Sequence, residues 1–146
     1  MQAMDIDAMP RAYFAFPGPL RDQLVGAILS GAKTSTSSLL ADYEHEGEAL
    51  PVVGEVSVVV DSDDQPVAVI ETTGVHTVRL GDVDLQHAID EGEGYTTVAE
   101  WRTGHENFWH SPEARASLGD PAFTVDDDTL MVAERFRVVT TLRPAA

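Results

Sequence analysis

The chain has 146 residues, no cysteine, and a net charge of −16 from 25 acidic and nine basic residues. Without cysteine, disulfides, thiolate metal sites and cysteine nucleophiles are excluded, so any chemistry falls to His, Asp, Glu, Ser, Thr, Tyr or the single lysine, Lys33. The acidity opposes binding of bulk double-stranded nucleic acid, whose affinity comes largely from neutralised phosphates, and leaves a small ligand or a short RNA in a local groove.

Hydrophobic residues make up 43% and charged residues 23%, the balance of one globular domain with a single core. No apolar run approaches the roughly 18 residues of a membrane span, and "MQAMDIDAMP" lacks a basic region followed by an apolar one. The expected location is therefore the cytoplasm, with no membrane partner. The expected organisation is an N-terminal extension over 1–13, one domain over 14–140 and a tail over 141–146.

Leu20, Leu24 and Ile28 recur every four residues with Val25 and Leu29 beside them, which predicts an amphipathic helix stopped by Gly31. "STSSLLADYEHEG" offers Ser37 or Ser38 as N-cap of a short helix over 39–46, with Gly47 as its end. The hydroxyl run before it also suits an edge strand. Three runs rich in Val, Ile and Thr follow, "EVSVVVD", "PVAVIET" and "GVHTVRL", and predict an antiparallel meander of three strands.

Asp82 or Asp84 can cap a short helix in "LQHAIDEGEG", and Thr97 with Glu100 forms a capping box for a longer one. On that longer helix Val98, Trp101, His105 and Phe108 share a stripe, where His105 reads as a hydrogen-bonded core histidine. It ends near Ser111 and Pro112. The stretch 113–129 reads as a surface connection with two turn signals. "LMVAERFRVV" predicts a closing strand with Leu130, Val132, Phe136 and Val138 inward and Arg135 and Arg137 outward. The order of helix, strands, helices and strand points to an α+β domain on a small, mostly antiparallel sheet or barrel.

Among candidate chemical groups, Lys33 sits just past a helix C-terminus, where a cation is favoured by the dipole. His87 and Glu91 are four apart on a helix and share a face, as an acid/base pair or half of a metal site would. "HENFWH" misses the H-E-x-x-H zinc pattern, because Trp109 stands where the second histidine belongs. A metal site built from His76, His87, Glu91 and His110 is the weaker reading, and no metal or cofactor is assigned. Phosphate loops and nucleophile elbows are absent.

Taken together, "ILSGAKTSTSSLL", "PVVGEVSVVV", "AVIETTGV", "LQHAIDEGEG", "AEWRTGHENFW" and "VAERFRVV" resemble the ASCH-domain family, over roughly Phe14 to Val139. The resemblance implies a PUA-like fold, a small mixed or antiparallel β-barrel with flanking helices. It also implies work on RNA or its components. Some small members are amidohydrolases that remove acyl groups from the exocyclic amine of acylated cytidines, and another is described as a ribonuclease.

The family's G-x-K-x-x-T motif matches Gly31, Lys33 and Thr36, and its glutamate following a His-Ala pair matches Glu91. The resemblance thus implies Lys33, Thr36 and Glu91 as catalytic residues. Gly31, Ser38, His87, Arg135 and Arg137 are the candidates for contacting a nucleoside or short RNA. The family pattern often continues T-x-R, but Ser38 stands here in place of the arginine. Arg79, Arg102, Arg135 and Arg137 are the possible replacements. A non-catalytic RNA- or nucleotide-binding module and a ribonuclease are the alternative functions.

In the expected chemistry Thr36 attacks or orients water. A base role for Lys33 requires its neutral form, whereas the adjacent Glu91 and the acidic chain pull it towards staying charged. The favoured version therefore keeps Lys33 as a cationic oxyanion stabiliser, with Glu91 as the base.

Overall fold

A computed structural model of the protein describes residues 5–142. Five strands form one mixed sheet in the order β1-β3-β4-β5-β2: β1 is Arg11–Ala12, β2 Ser35–Leu39, β3 Val56–Val60, β4 Pro66–Arg79 and β5 Leu130–Thr141. β1 runs parallel to β3, and every other pairing is antiparallel. The helices are α1 Pro19–Ser30, α2 Leu40–Glu46, α3 Leu85–Asp90, α4 Val98–Trp109 and α5 Pro112–Leu118. The fold is thus α+β as expected. Its terminal strands β1 and β2 are not paired with each other, so the sheet is open where a closed barrel was expected. Among the described residues, no helix is long and apolar enough to cross a membrane.

The local signals explain much of this. Gly31 takes a left-handed φ of 86° and ends α1, as a residue without a Cβ does at little cost. Leu24, Val25 and Ile28 of α1 are buried, whereas Leu20 lies at the surface. Asp84 caps α3 through the His87 N–H. The capping box of α4 is fully formed between Thr97 and Glu100. The hydroxyl run forms the edge strand β2, which pairs only with β5.

Four sequence expectations change. The second and third runs of the meander are one strand, β4, because a register shift between Thr72 and Gly74 bends the ladder without ending it. Neither Ser37 nor Ser38 caps α2: both belong to β2, and the cap position is Leu39. The connection after α4 contains α5, capped by the Ser111 hydroxyl with Pro112 in the first turn. Leu130 is 44% exposed while Met131 is fully buried.

That last difference has a simple cause. Met131 and Ala133 join a core cluster around Trp101 and Trp109, whereas Phe136 and Val138 join another around Ile28 and Phe14. Opposite faces of β5 therefore meet different helices, so alternation along the strand does not report a single buried face.

Two buried basic residues tie chain segments across these clusters. Arg21 of α1 donates to the Phe14, Ala15 and Asp61 carbonyls at 3.2, 2.7 and 3.4 Å, fixing the aromatic stretch 13–16. Lys33, the first buried residue after α1, is held through its backbone N–H to the Ala27 carbonyl at 3.0 Å.

The capping box sets where α4 begins, and α4 carries Trp101 and His105. Replacing Thr97 by Ala is expected to lower stability by about 1 kcal/mol, read from the urea unfolding midpoint. An unchanged midpoint would show that the box is not stabilising.

Candidate active site

The site begins where β2 leaves α1. The Thr34 N–H donates to the Asp90 carbonyl at 2.8 Å, and the Phe136 N–H donates to the Thr34 carbonyl at 3.1 Å, so the backbone around Lys33 is clamped between α3 and β5. Gly92 makes the approach of α3 possible. Its φ is +73°, and a Cβ built on it would lie 2.7 Å from the Ala32 carbonyl carbon and the Lys33 nitrogen. Only a glycine lets the end of α3 sit on this backbone.

The result is that Lys33 and Glu91 meet. Both are buried, at 2% and 1% exposure, and Lys33 Nζ stands 3.6 Å from Glu91 Oε1. Lys33 also donates to the main-chain carbonyls of Ser35 at 2.9 Å and Glu91 at 3.2 Å. The Phe14 ring lies 5.8 Å from the Lys33 amine.

Glu91 Oε2 collects the remaining donors. It accepts from the Trp101 indole N–H and from the Ser37 hydroxyl at 3.3 Å, and His105 Nε2 lies 3.2 Å away. Behind Ser37, His87 Nε2 approaches the same hydroxyl at 2.7 Å, and the Ser35 hydroxyl donates to the His87 carbonyl at 3.1 Å. Ser37 gives its single proton to Glu91, so its oxygen accepts the His87 N–H.

Electrostatics follows from this packing. Burial pushes the Glu91 carboxyl up, but the hydrogen bond and charge of His105, the charge of Lys33 and the Trp101 bond outweigh it and hold it at about 2. Burial lowers Lys33 below its usual range, and Glu91 and Glu93 offset this only in part. His87 is likewise lowered by burial. For His105, burial acts downward, yet its bond to Glu91 and the charge of Glu91 raise it.

This reverses the sequence expectation for Lys33, where the neighbouring carboxylate was to dominate. Desolvation of a fully enclosed amine is the larger effect.

Lys33, Thr36 and Glu91 all line one pocket of about 590 Å³, together with Ser38, Glu134 and His105. Thr36 lies opposite Glu134 in the sheet, and its hydroxyl makes no hydrogen bond to another described residue. It shares the pocket with the Lys33 and Glu91 pair, and no hydrogen bond joins it to either. Glu134 accepts from Thr72 at 2.8 Å and is raised by burial. Tyr13, Phe14, Phe108 and Trp109 supply aromatic surface.

The other predicted contact residues are placed differently. Gly31 is the helix stop. His87 sits behind Ser37 and outside the pocket lining. Arg135 is paired with Asp90 at 2.8 Å and Arg137 with Glu71 at 2.6 Å, and neither lines the pocket. Arg79 is bound to Asp82 and Asp128, and Arg102 to Glu106 and Asp127. None of these arginines takes the place left at Ser38.

His76, His87, Glu91 and His110 do not gather as a metal set. Among the described residues, the donor atoms that come within 4.8 Å of one another belong to Glu91, Glu93 and His105. Two basic groups, Lys33 and His105, already serve Glu91 there. Sequence reasoning missed Ser37, Glu93 and Glu134 as site residues, and read Trp101 and His105 only as core. The wrap of α4 against α3 is what turns those two towards Glu91.

A family model for the ASCH domain matches residues 12–140. The chain belongs to the ASCH-domain family. Two solved structures share close geometry with this ASCH domain. An ASCH domain from Lactobacillus crispatus JV V101 is 31% identical with a TM-score of 0.73, matching 89% of this chain and 80% of that one. Protein EF3133 from Enterococcus faecalis V583 is 29% identical with a TM-score of 0.76, matching 90% and 77% respectively. A mutant form of ZmASCH from Zymomonas mobilis, at 10% identity and a TM-score of 0.53, shares the fold, over 92% of this chain and 72% of that one. No curated protein matches the chain.

Two outcomes follow from the geometry. Gly92→Ala should cost about 2–4 kcal/mol from a strained φ and a main-chain clash; a thermal midpoint equal to wild type would remove the close-approach argument. For Glu91, the unfolded carboxyl binds a proton near 4.5 and the folded one only near 2. Its contribution is present above the unfolded value and is lost as pH falls between the two. Urea midpoints compared at pH 7 and pH 3 should fall further in wild type than in Glu91→Gln.

Proposed function

We propose that this ASCH domain is an amidohydrolase that cleaves the amide of N4-acylated cytidine-type nucleosides in the Lys33–Glu91 pocket. The observation that carries the reading is a buried lysine 3.6 Å from a buried carboxylate, in a pocket whose lining also includes Thr36. The substrate class comes from the family resemblance. Acidic groups outnumber basic ones in the lining, where Asp42, Glu46, Glu48, Glu55, Glu93 and Glu134 join Glu91 against Arg11, Lys33 and His105, and this balance supports a substrate without phosphate.

In this reading Lys33 is the base. Its amine takes a proton from the attacking oxygen, supplied or oriented by Thr36, as that oxygen bonds to the amide carbon. The resulting ammonium then gives the proton to the leaving exocyclic amine as the carbon–nitrogen bond breaks. Water completes the exchange, giving the free carboxylic acid and cytidine. Glu91 stays an anion and orients Lys33, because three donors already crowd its Oε2 and its low pKa makes it a weak base.

The aromatic lining supports a second reading, a pocket that stacks a base or an RNA end without turnover. Assay of the purified protein against a panel of N4-acylcytidines separates the two. Release of free cytidine is expected. Lys33→Arg and Lys33→Ala should each lose about 100-fold or more, since arginine keeps the charge but cannot act as a base. Substantial activity in Lys33→Arg would make the lysine a cationic stabiliser instead. No release by folded protein, with salt-dependent binding of short RNA, would replace the enzyme by the binder.

A further inference from the structure

We infer that His105 is a standing imidazolium that serves as the counter-ion of Glu91, a positioning residue whose charge leaves Lys33 free to act as the base. The inference rests on the amidohydrolase reading for its kinetic consequence, but its structural half stands independently.

A neutral imidazole has one N–H and one lone pair, whereas an imidazolium has two N–H groups. His105 Nδ1 lies 2.9 Å from the main-chain carbonyl oxygen of Trp101, and Nε2 lies 3.2 Å from Glu91 Oε2. Both partners are acceptors only once Glu91 is ionised. Either neutral tautomer would therefore aim a lone pair at an oxygen, in a spot where the side chain is 11% exposed. The imidazolium satisfies both contacts.

The other groups facing the ring agree. Glu93 Oε2 stands 4.0 Å from Nε2 and adds a second carboxyl. Trp101 stacks on the ring with centroids 4.4 Å apart and so offers its face to a cation, while Trp109 packs at 60° to it with centroids 5.3 Å apart. Tyr95, at 6.1 Å, is the remaining ring. Lys33 and His87 are the other basic groups of the cluster, reached across Glu91 at 3.6 Å from Oε1 and 3.9 Å from Oε2 respectively.

The consequence concerns Lys33. Its amine is held by two carbonyl acceptors, which need only two N–H groups, and Glu91 Oε1 at 3.6 Å lies beyond a hydrogen bond. A neutral amine fulfils both bonds and retains a lone pair. With His105 charged, Glu91 keeps a partner when Lys33 loses its proton. Without that charge, the buried anion leans more heavily on Lys33, whose proton affinity rises, with the burial-lowered His87 at 3.9 Å as the remaining basic neighbour.

Nitrogen-resolved NMR of wild-type protein labelled with ¹⁵N-histidine tests the structural half. His105, identified through its contact with the Trp101 indole, should show two imidazolium-type nitrogens at pH 7.5, while a histidine of ordinary pKa is already largely neutral. A neutral pattern for His105 at that pH would overturn the proposal, whatever the substrate proves to be. The second measurement is the pH profile of kcat/KM for cytidine release. His105→Gln should move the acidic limb upward by about one pH unit, because loss of a positive charge strengthens the hold of Lys33 on its proton. A variant with lower rate but an unmoved limb would leave His105 a packing residue and overturn its influence on Lys33. Imidazolium signals in a protein that releases no cytidine would instead fault the amidohydrolase reading alone.

Discussion

A carboxylate taken out of water must find donors, and Glu91 is the group around which this domain is arranged. At 1% exposure it has lost its hydration, and an uncompensated ion in such a place costs several kcal/mol. An indole N–H, a serine hydroxyl, a histidine and a lysine replace that hydration, drawn from α4, β2 and the junction before β2. The 33–37 stretch, α4 and the end of α3 that carries Glu91 thus become mutually dependent. The carboxylate is held as an anion, and its neighbours take their protonation from it.

The same constraint explains details that look unrelated. Gly92 must lack a side chain, because Glu91 reaches Lys33 only if the end of α3 rests on the Lys33 backbone. Ser35 and Ser37 point to α3, since alternate residues of a strand share a face, and so bind the His87 carbonyl and ring. Thr36 and Ser38 turn to the other face and line the cavity, which Ser37 also reaches. The hydroxyl run that reads as a polar edge thus both holds Glu91 in place and lines the cavity.

The charge of the molecule also has a local meaning. A net charge of −16 suggests only solubility when read as a sum. Within the pocket, carboxyl groups dominate the wall, and the described arginines that might have replaced the missing motif arginine are paired elsewhere. Burial then works against ionisation of Lys33 itself, so the acidic protein contains an amine that gives up its proton more readily than a surface lysine does.

The sequence by itself determined what depends on near neighbours along the chain. The stop of α1 at Gly31, an aspartate cap before α3 and the capping box of α4 were all legible, because each is set by residues within a few positions. The joining of two strand runs into β4, the helix α5 and the two-sided burial of β5 were not, since bulges and shared cores are settled by partners from elsewhere. Lys33 and Glu91 lie 58 positions apart, and only the tertiary structure decided that they meet. It also decided which way their proton affinities move. Desolvation and Coulomb attraction depend on distance and burial in space, so the pull on Lys33 that sequence assigned to its carboxylate neighbour was outweighed by an enclosure that no local pattern records.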